Sequence, residues 1–130
     1  MPRAVRGNAR AVPMPILAVA VVALLGGCAA PGCRNTVAHR VASPDLQNDA
    51  VVYQRDCGGH DGASSGVAII THDGDLPDVP TSVLTLAQPV DVTATWTSAT
   101  ELRLAYPASA TVIGKMATSP EGVRLRLEPR

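Results

Sequence analysis

The chain has 130 residues and a formal net charge of zero, its 11 Lys and Arg balancing 11 Asp and Glu. That balance excludes the basic surface of a nucleic-acid-binding protein, and the length suits one small domain. One Trp, two Tyr and no Phe leave the core to aliphatic side chains, so a fold of this size gains from a covalent staple.

In chain order, the first element is a leader. Arg3, Arg6 and Arg10 form a positive start with no acidic residue. An apolar stretch follows over 11–25, broken by Pro13 and Pro15 and continuous from Ile16. A membrane-spanning helix takes about 20 apolar residues, whereas the core of a secretory signal takes about 7–15. This segment fits the shorter class and predicts a helical signal peptide over 1–27. Its end, Leu25-Gly26-Gly27-Cys28, resembles the bacterial lipobox: an aliphatic residue, two small ones, then cysteine. The resemblance implies that the Cys28 thiol carries a diacylglycerol and that cleavage falls just before it. The competing reading is an ordinary secretory signal cut near Ala29-Ala30, which releases a soluble protein.

Beyond the leader, eight basic residues face eleven acidic ones, a net charge of −3. No cluster of Lys or Arg remains to hold nucleic acid or anionic lipid. Residue 29 is Ala and not Asp. In a Gram-negative cell the lipoprotein sorting pattern then implies the periplasmic face of the outer membrane, and otherwise the outer face of the cell membrane. Residues 28–32 read as a lipid-anchored linker and 33–130 as a β-rich domain. Ala29-Ala30-Pro31-Gly32 alone separate Cys28 from Cys33, so the tether reaches at most roughly 15–18 Å. With Cys33 bonded to Cys57, the 55–60 end of the domain lies nearest the lipid.

Cys33 and Cys57 are an even pair, which in an oxidising envelope reads first as a disulfide. Closing a loop of about 25 residues stabilises a fold by roughly 3 kcal/mol on the chain-entropy model. The competing reading is a metal site, because Cys57-Gly58-Gly59-His60 sets a His three residues after a Cys. Zinc takes four such ligands in paired spacings, and Cys33 stands alone.

From Cys33 onward the periodicity is that of strands. The run 48–57 (NDAVVYQRDC) follows the turn-like Ser43-Pro44-Asp45 and stops at Gly58-Gly59, and 66–71 (GVAIIT) is a second apolar run. Val90, Val92, Ala94 and Trp96 alternate with Asp91, Thr93 and Thr95. After 97–100, Leu102, Leu104 and Tyr106 alternate with Arg103 and Ala105, a hairpin pattern. A strand over 111–115 follows, then Val123, Leu125 and Leu127 alternating with Arg124, Arg126 and Glu128, and 37–41 adds a strand at the start. Pro and Gly fall between these runs, no helical stripe appears, and 75–81 is the long loop. The expected fold class is all-β: a single small antiparallel sheet, meander or sandwich, of about six to seven strands.

Ser43-Pro44-Asp45, Val51-Val52-Tyr53-Gln54-Arg55-Asp56-Cys57-Gly58, Ser64-Ser65-Gly66-Val67-Ala68-Ile69, and then Trp96, Leu102, Leu104, Tyr106 and Pro107 follow one another in that order. This order resembles a family of small bacterial lipoproteins of unknown function. Its pattern is close to S-P-D-G-K, V-V-x-x-R-D-C-G-A-T-T-G-F-S-T-x-V-S-I and W-x(5)-L-x-I-x-Y-P, and R-D-C-G is its most specific block. Leu46-Gln47 stands where the pattern has Gly-Lys, Gly59-His60-Asp61 where it has Ala-Thr-Thr, and 73–88 has no clear counterpart. The resemblance implies export, lipidation and the disulfide, and it carries no activity.

Three constellations invite a functional reading. Gly62-Ala63-Ser64-Ser65-Gly66 fits G-x-S-x-G, but a nucleophile elbow needs a strand-turn-helix in a parallel sheet, with acid and His following. The residues read better as the turn joining two strands, so no catalytic residue is assigned. His72, Asp73, Asp75 and Asp78, with His60 and Asp61, form an acidic loop that offers weak metal ligands. It departs from an EF-hand, whose sixth and twelfth positions are Asp78 and Leu84 here instead of Gly and Glu. Arg55-Asp56 reads as a charge pair fixing the strand end beside the disulfide, against a recognition pair for a partner. The expected function is therefore a lipid-anchored envelope module, structural or docking an envelope protein, with no cofactor. The alternative is a lipoprotein that binds a small ligand or metal.

Overall fold

Alternation becomes eight strands: β1 (Arg34–Ala42), β2 (Asn48–Asp56), β3 (Ala63–Thr71), β4 (Ser82–Leu86), β5 (Thr93–Ser98), β6 (Glu101–Tyr106), β7 (Val112–Lys115) and β8 (Arg124–Pro129). The computed structural model describes residues 32–59 and 62–130. The expected signal peptide, Cys28 and the linker up to Pro31, and His60 with Asp61, lie outside the described residues.

The strands form a five-stranded sheet in the order β1-β2-β3-β4-β7 and a three-stranded sheet in the order β5-β6-β8. The all-β expectation holds, in its sandwich form. Ala50 and Val52 of β2, Val67 and Ile69 of β3, and Leu84 and Leu86 of β4 meet Leu102, Leu104 and Tyr106 of β6 in one buried cluster. The alternation read at 90–96 and 102–106 gives the facing hairpin β5–β6. Trp96 closes one side of the sandwich, its indole N–H donating to the Val41 carbonyl of β1 at 2.9 Å.

Three expectations need correction. The strand count is eight because Ser82–Leu86 is a strand, with Val83, Leu84 and Leu86 buried. This short run lacks clean alternation, because a register shift against β3 between Val67 and Ala68 turns Val83 inward as well. The pairing is not wholly antiparallel: β8 runs parallel to β6 from Glu101↔Arg124 to Tyr106↔Pro129. Parallel neighbours need a crossover, and here the chain crosses to the other sheet as β7 before returning. Finally, Ser64, Ser65 and Gly66 are not a turn. They lie inside β3, and the left-handed backbone sits at Gly58, Gly59 and Gly62 instead.

The β1–β2 turn is built by Ser43. Its hydroxyl donates to Asp45 Oδ1 at 2.7 Å and accepts the Asn48 N–H at 3.1 Å, while its carbonyl accepts the Leu46 N–H at 2.9 Å. Closing this turn puts Leu46 at φ 58°, with the residue 58% exposed. A left-handed L-residue costs about 1–2 kcal/mol, of which the greater backbone entropy of Gly offsets roughly 0.5–1. Leu46→Gly is therefore expected to stabilise the fold by about 0.5–1 kcal/mol. A urea midpoint that rises with an unchanged slope is the supporting result, and a fall would contradict the turn geometry.

Candidate functional site

Both faces of β2 are covered. Ala50 and Val52 point into the sandwich, yet Val51 and Tyr53, on the opposite face, are buried too, as is Ala68 beside them on β3. The cover is the acidic loop 73–81, which crosses this outer face as a strap. A bulge prepares β1 to hold it. The register shift between Val37 and His39 leaves Ala38 as an extra residue, so Asn35, opposite Arg55, and Arg40, opposite Val51, share the outer face. In a regular strand, residues five positions apart would point to opposite faces; the bulge brings these two to one.

At one end of the strap sits Asp49, buried at 2% exposure. Its Oδ1 is 2.7 Å from His72 Nδ1, and its Oδ2 accepts Arg40 Nε at 2.7 Å and the Asp73 N–H at 3.0 Å. Arg40 also donates from Nη2 to the Gly74 carbonyl at 2.6 Å, so one guanidinium grips both the carboxylate and the strap. His72 Nε2 lies 3.3 Å from Asp73 Oδ2. Desolvation raises the Asp49 pKa, but the hydrogen bonds from His72, the Asp73 N–H and Arg40 together outweigh it and hold the carboxyl at about 2. The His72 pKa is raised above 6.5 first by its hydrogen bond to Asp49, against desolvation, and further by the charges of Asp49 and Asp73, against Arg40.

At the other end, Asn35 Nδ2 donates to the Asp78 carbonyl at 3.0 Å, and Arg55 Nη1 donates to the same carbonyl at 2.6 Å and to Asn35 Oδ1 at 2.9 Å. Between these anchors the Tyr53 hydroxyl bonds Ser82, and its ring lies so close over Gly66 that a Cβ there would come within 2.5 Å of Tyr53 Cζ. Cys33 and Cys57 pair at disulfide distance, 2.00 Å between sulfurs, and join the residue before β1 to the one after β2.

The weak metal ligands separate. His72 and Asp73 come together, but with Asp49, which the sequence analysis did not single out. Among the described residues, the carboxylates of Asp75 and Asp78 make no hydrogen bond or ion pair, and the strap is fastened through backbone carbonyls instead. The atoms of Asp49, His72 and Asp73 all fall within 4.8 Å, yet Arg40 already places a cation on the carboxylate. That arrangement fits an internal ion network better than an open metal site. Arg55 and Asp56 do not form the expected charge pair. Alternation sends them to opposite faces, where Arg55 holds Asn35 and the strap while Asp56 accepts the Gly58 N–H at 2.8 Å. In the G-x-S-x-G run, Ser65 is buried and its hydroxyl bonds the carbonyls of Gln88 and Val90, at 2.9 and 3.2 Å.

The pH dependence follows from these shifts. A depressed carboxyl pKa stabilises the fold above the unfolded-state value near 3.8 and loses that contribution as pH falls toward about 2. A raised His72 pKa stabilises below 6.5 and loses its contribution as pH rises through the folded-state value. Asp49 is expected to contribute roughly 1–2 kcal/mol at neutral pH, after screening at the part-exposed Arg40 and His72. Asp49→Asn should therefore flatten the acid limb of a chemical-denaturation profile taken from pH 2 to pH 6; an unchanged limb would contradict the network. No family model, curated protein or solved structure matches this chain.

Proposed function

We propose that the chain is an exported, lipid-anchored protein of the cell envelope, whose β-sandwich serves as a structural or docking module. The observation that carries this reading is Leu25-Gly26-Gly27-Cys28 at the end of an apolar run that begins behind Arg3, Arg6 and Arg10. The cysteine pair supports it, since disulfides persist in oxidising compartments. Four residues separate Cys28 from Cys33, and Cys33 is joined to Cys57, so a lipid on Cys28 draws the Cys57 end of the sandwich to the membrane. The strapped face supports a module held rigid by internal contacts, because Arg40 and His72 on it are both committed to Asp49.

The test is Cys28→Ser expressed in a bacterial host with an envelope. The native chain should incorporate labelled palmitate and partition into the detergent phase, and the variant should do neither. A native chain that stays unlabelled and soluble, beginning at Ala29 or beyond, would overturn the anchor.

A second reading, a metal-binding lipoprotein, draws on the Asp49, His72 and Asp73 cluster. A concentration-dependent rise in Tm with Ca²⁺ or Zn²⁺ that disappears in His72→Ala would favour it. The docking-module reading expects no shift, because Arg40 competes with the metal for the carboxylate.

A further inference from the structure

We propose that the cavity beside Arg55, under the far end of the strap, binds the carboxylate of a small organic acid. The cavity measures about 150 Å³ and is lined by Tyr53, Arg55, Ser64, Gly66, Val79 and Thr85 among others. Drug-sized ligands take roughly 300–1,000 Å³, so it admits a single head group, roughly five water volumes in size.

Its chemistry is set by what the fold leaves unused. Arg55 is half-buried, and among the described residues no carboxylate pairs with it; the ion pairs involve Arg40, Arg103, Arg124, Arg130 and His72. Its Nη1 is fixed by the carbonyl oxygens of Asn35 and Asp78. Among the described residues its Nε and Nη2 make no hydrogen bond, and that edge of a guanidinium can hold a carboxylate through two parallel N–H···O bonds. The partly desolvated cation gains from a counter-ion. Ser64, opposite Arg55, and Thr85, opposite Gly66, stand on the same face. Among the described residues, their hydroxyls make no hydrogen bond, so both can donate to the same anion. The Tyr53 ring, packed over Gly66 where no Cβ would fit, forms the floor. Val79 and Pro80 supply an apolar wall for a short alkyl chain. One cation faces the cavity, which matches a single negative charge; a phosphate dianion would leave one charge uncompensated.

The test is a ¹H–¹⁵N NMR titration of the full chain, purified in neutral detergent, with acetate at constant ionic strength and phosphate in parallel. Acetate should give saturable shifts at Arg55 Nε–H and at the amides of Ser64, Gly66 and Thr85. Arg55→Gln should weaken binding by about tenfold or more. Ser64→Val, which fills the cavity without touching the hold of Arg55 on the strap, should do the same, and Arg124→Gln on the other sheet should change nothing. Scattered, non-saturating shifts, or equal affinity in Ser64→Val, would overturn the site. Tighter binding of phosphate at the same residues would overturn the carboxylate assignment. The cavity is built entirely from residues of the β-domain, so these outcomes are independent of whether Cys28 carries a lipid.

Discussion

The Asp49 carboxylate sits where a β-sheet normally places an apolar side chain, and the arrangement around it governs how the outer face is closed. Burying a carboxylate is costly unless its oxygens are filled, and three donors fill them: Arg40 from β1, and His72 and the Asp73 N–H from the turn that follows β3 and begins the strap. They come from two segments on either side of Asp49, so satisfying one anion fastens the edge strand β1 and the start of the strap to β2. The bulge at Ala38 makes this geometry possible by turning Arg40 to the face that Asp49 occupies. Covering Val51, Tyr53 and Ala68 then follows, and the five-stranded sheet becomes buried on both sides of its central strands.

This economy of charge shapes the functional account. The Asp49 end of the strap is internally neutralised, which makes it a fastening point. The Arg55 end is held by neutral carbonyls, which leaves the guanidinium with unspent hydrogen-bonding capacity close to Cys57. A lipid on Cys28 would place that end toward the membrane. The two ends of one loop thus carry different roles, one holding the fold together and the other available to a ligand.

Much of the architecture was legible from periodicity. The alternation of Val90 to Trp96 against Leu102 to Tyr106 gave the hairpin, and NDAVVYQRDC gave β2. What alternation cannot carry is the identity of neighbours: β8 alternates equally well whether parallel or antiparallel to β6, and only the detour through β7 decides it. Ser82–Leu86 escaped notice because its irregular pairing removes the period-2 signal. The site was half visible. His72 and Asp73 stood out as neighbours in sequence, whereas Asp49 and Arg40 lie 23 and 32 positions from His72 and meet it only through strand register. A mild signal for Asp49 existed, an acidic residue directly before the apolar run Ala50-Val51-Val52, a place where a charge demands a partner.

The central claim, that Asp49 fastens the strap across the sheet, is tested most directly by amide hydrogen exchange at Asp73 and Gly74. In the native chain these loop amides, one bonded to Asp49 Oδ2 and the other to the Thr71 carbonyl, should exchange far more slowly than an exposed loop. Asp49→Ala should release them while the central amides of β2 and β3 remain protected. If Asp73 and Gly74 exchange at the rate of an open loop in the native chain, or stay protected in the variant, the strap is not held by Asp49.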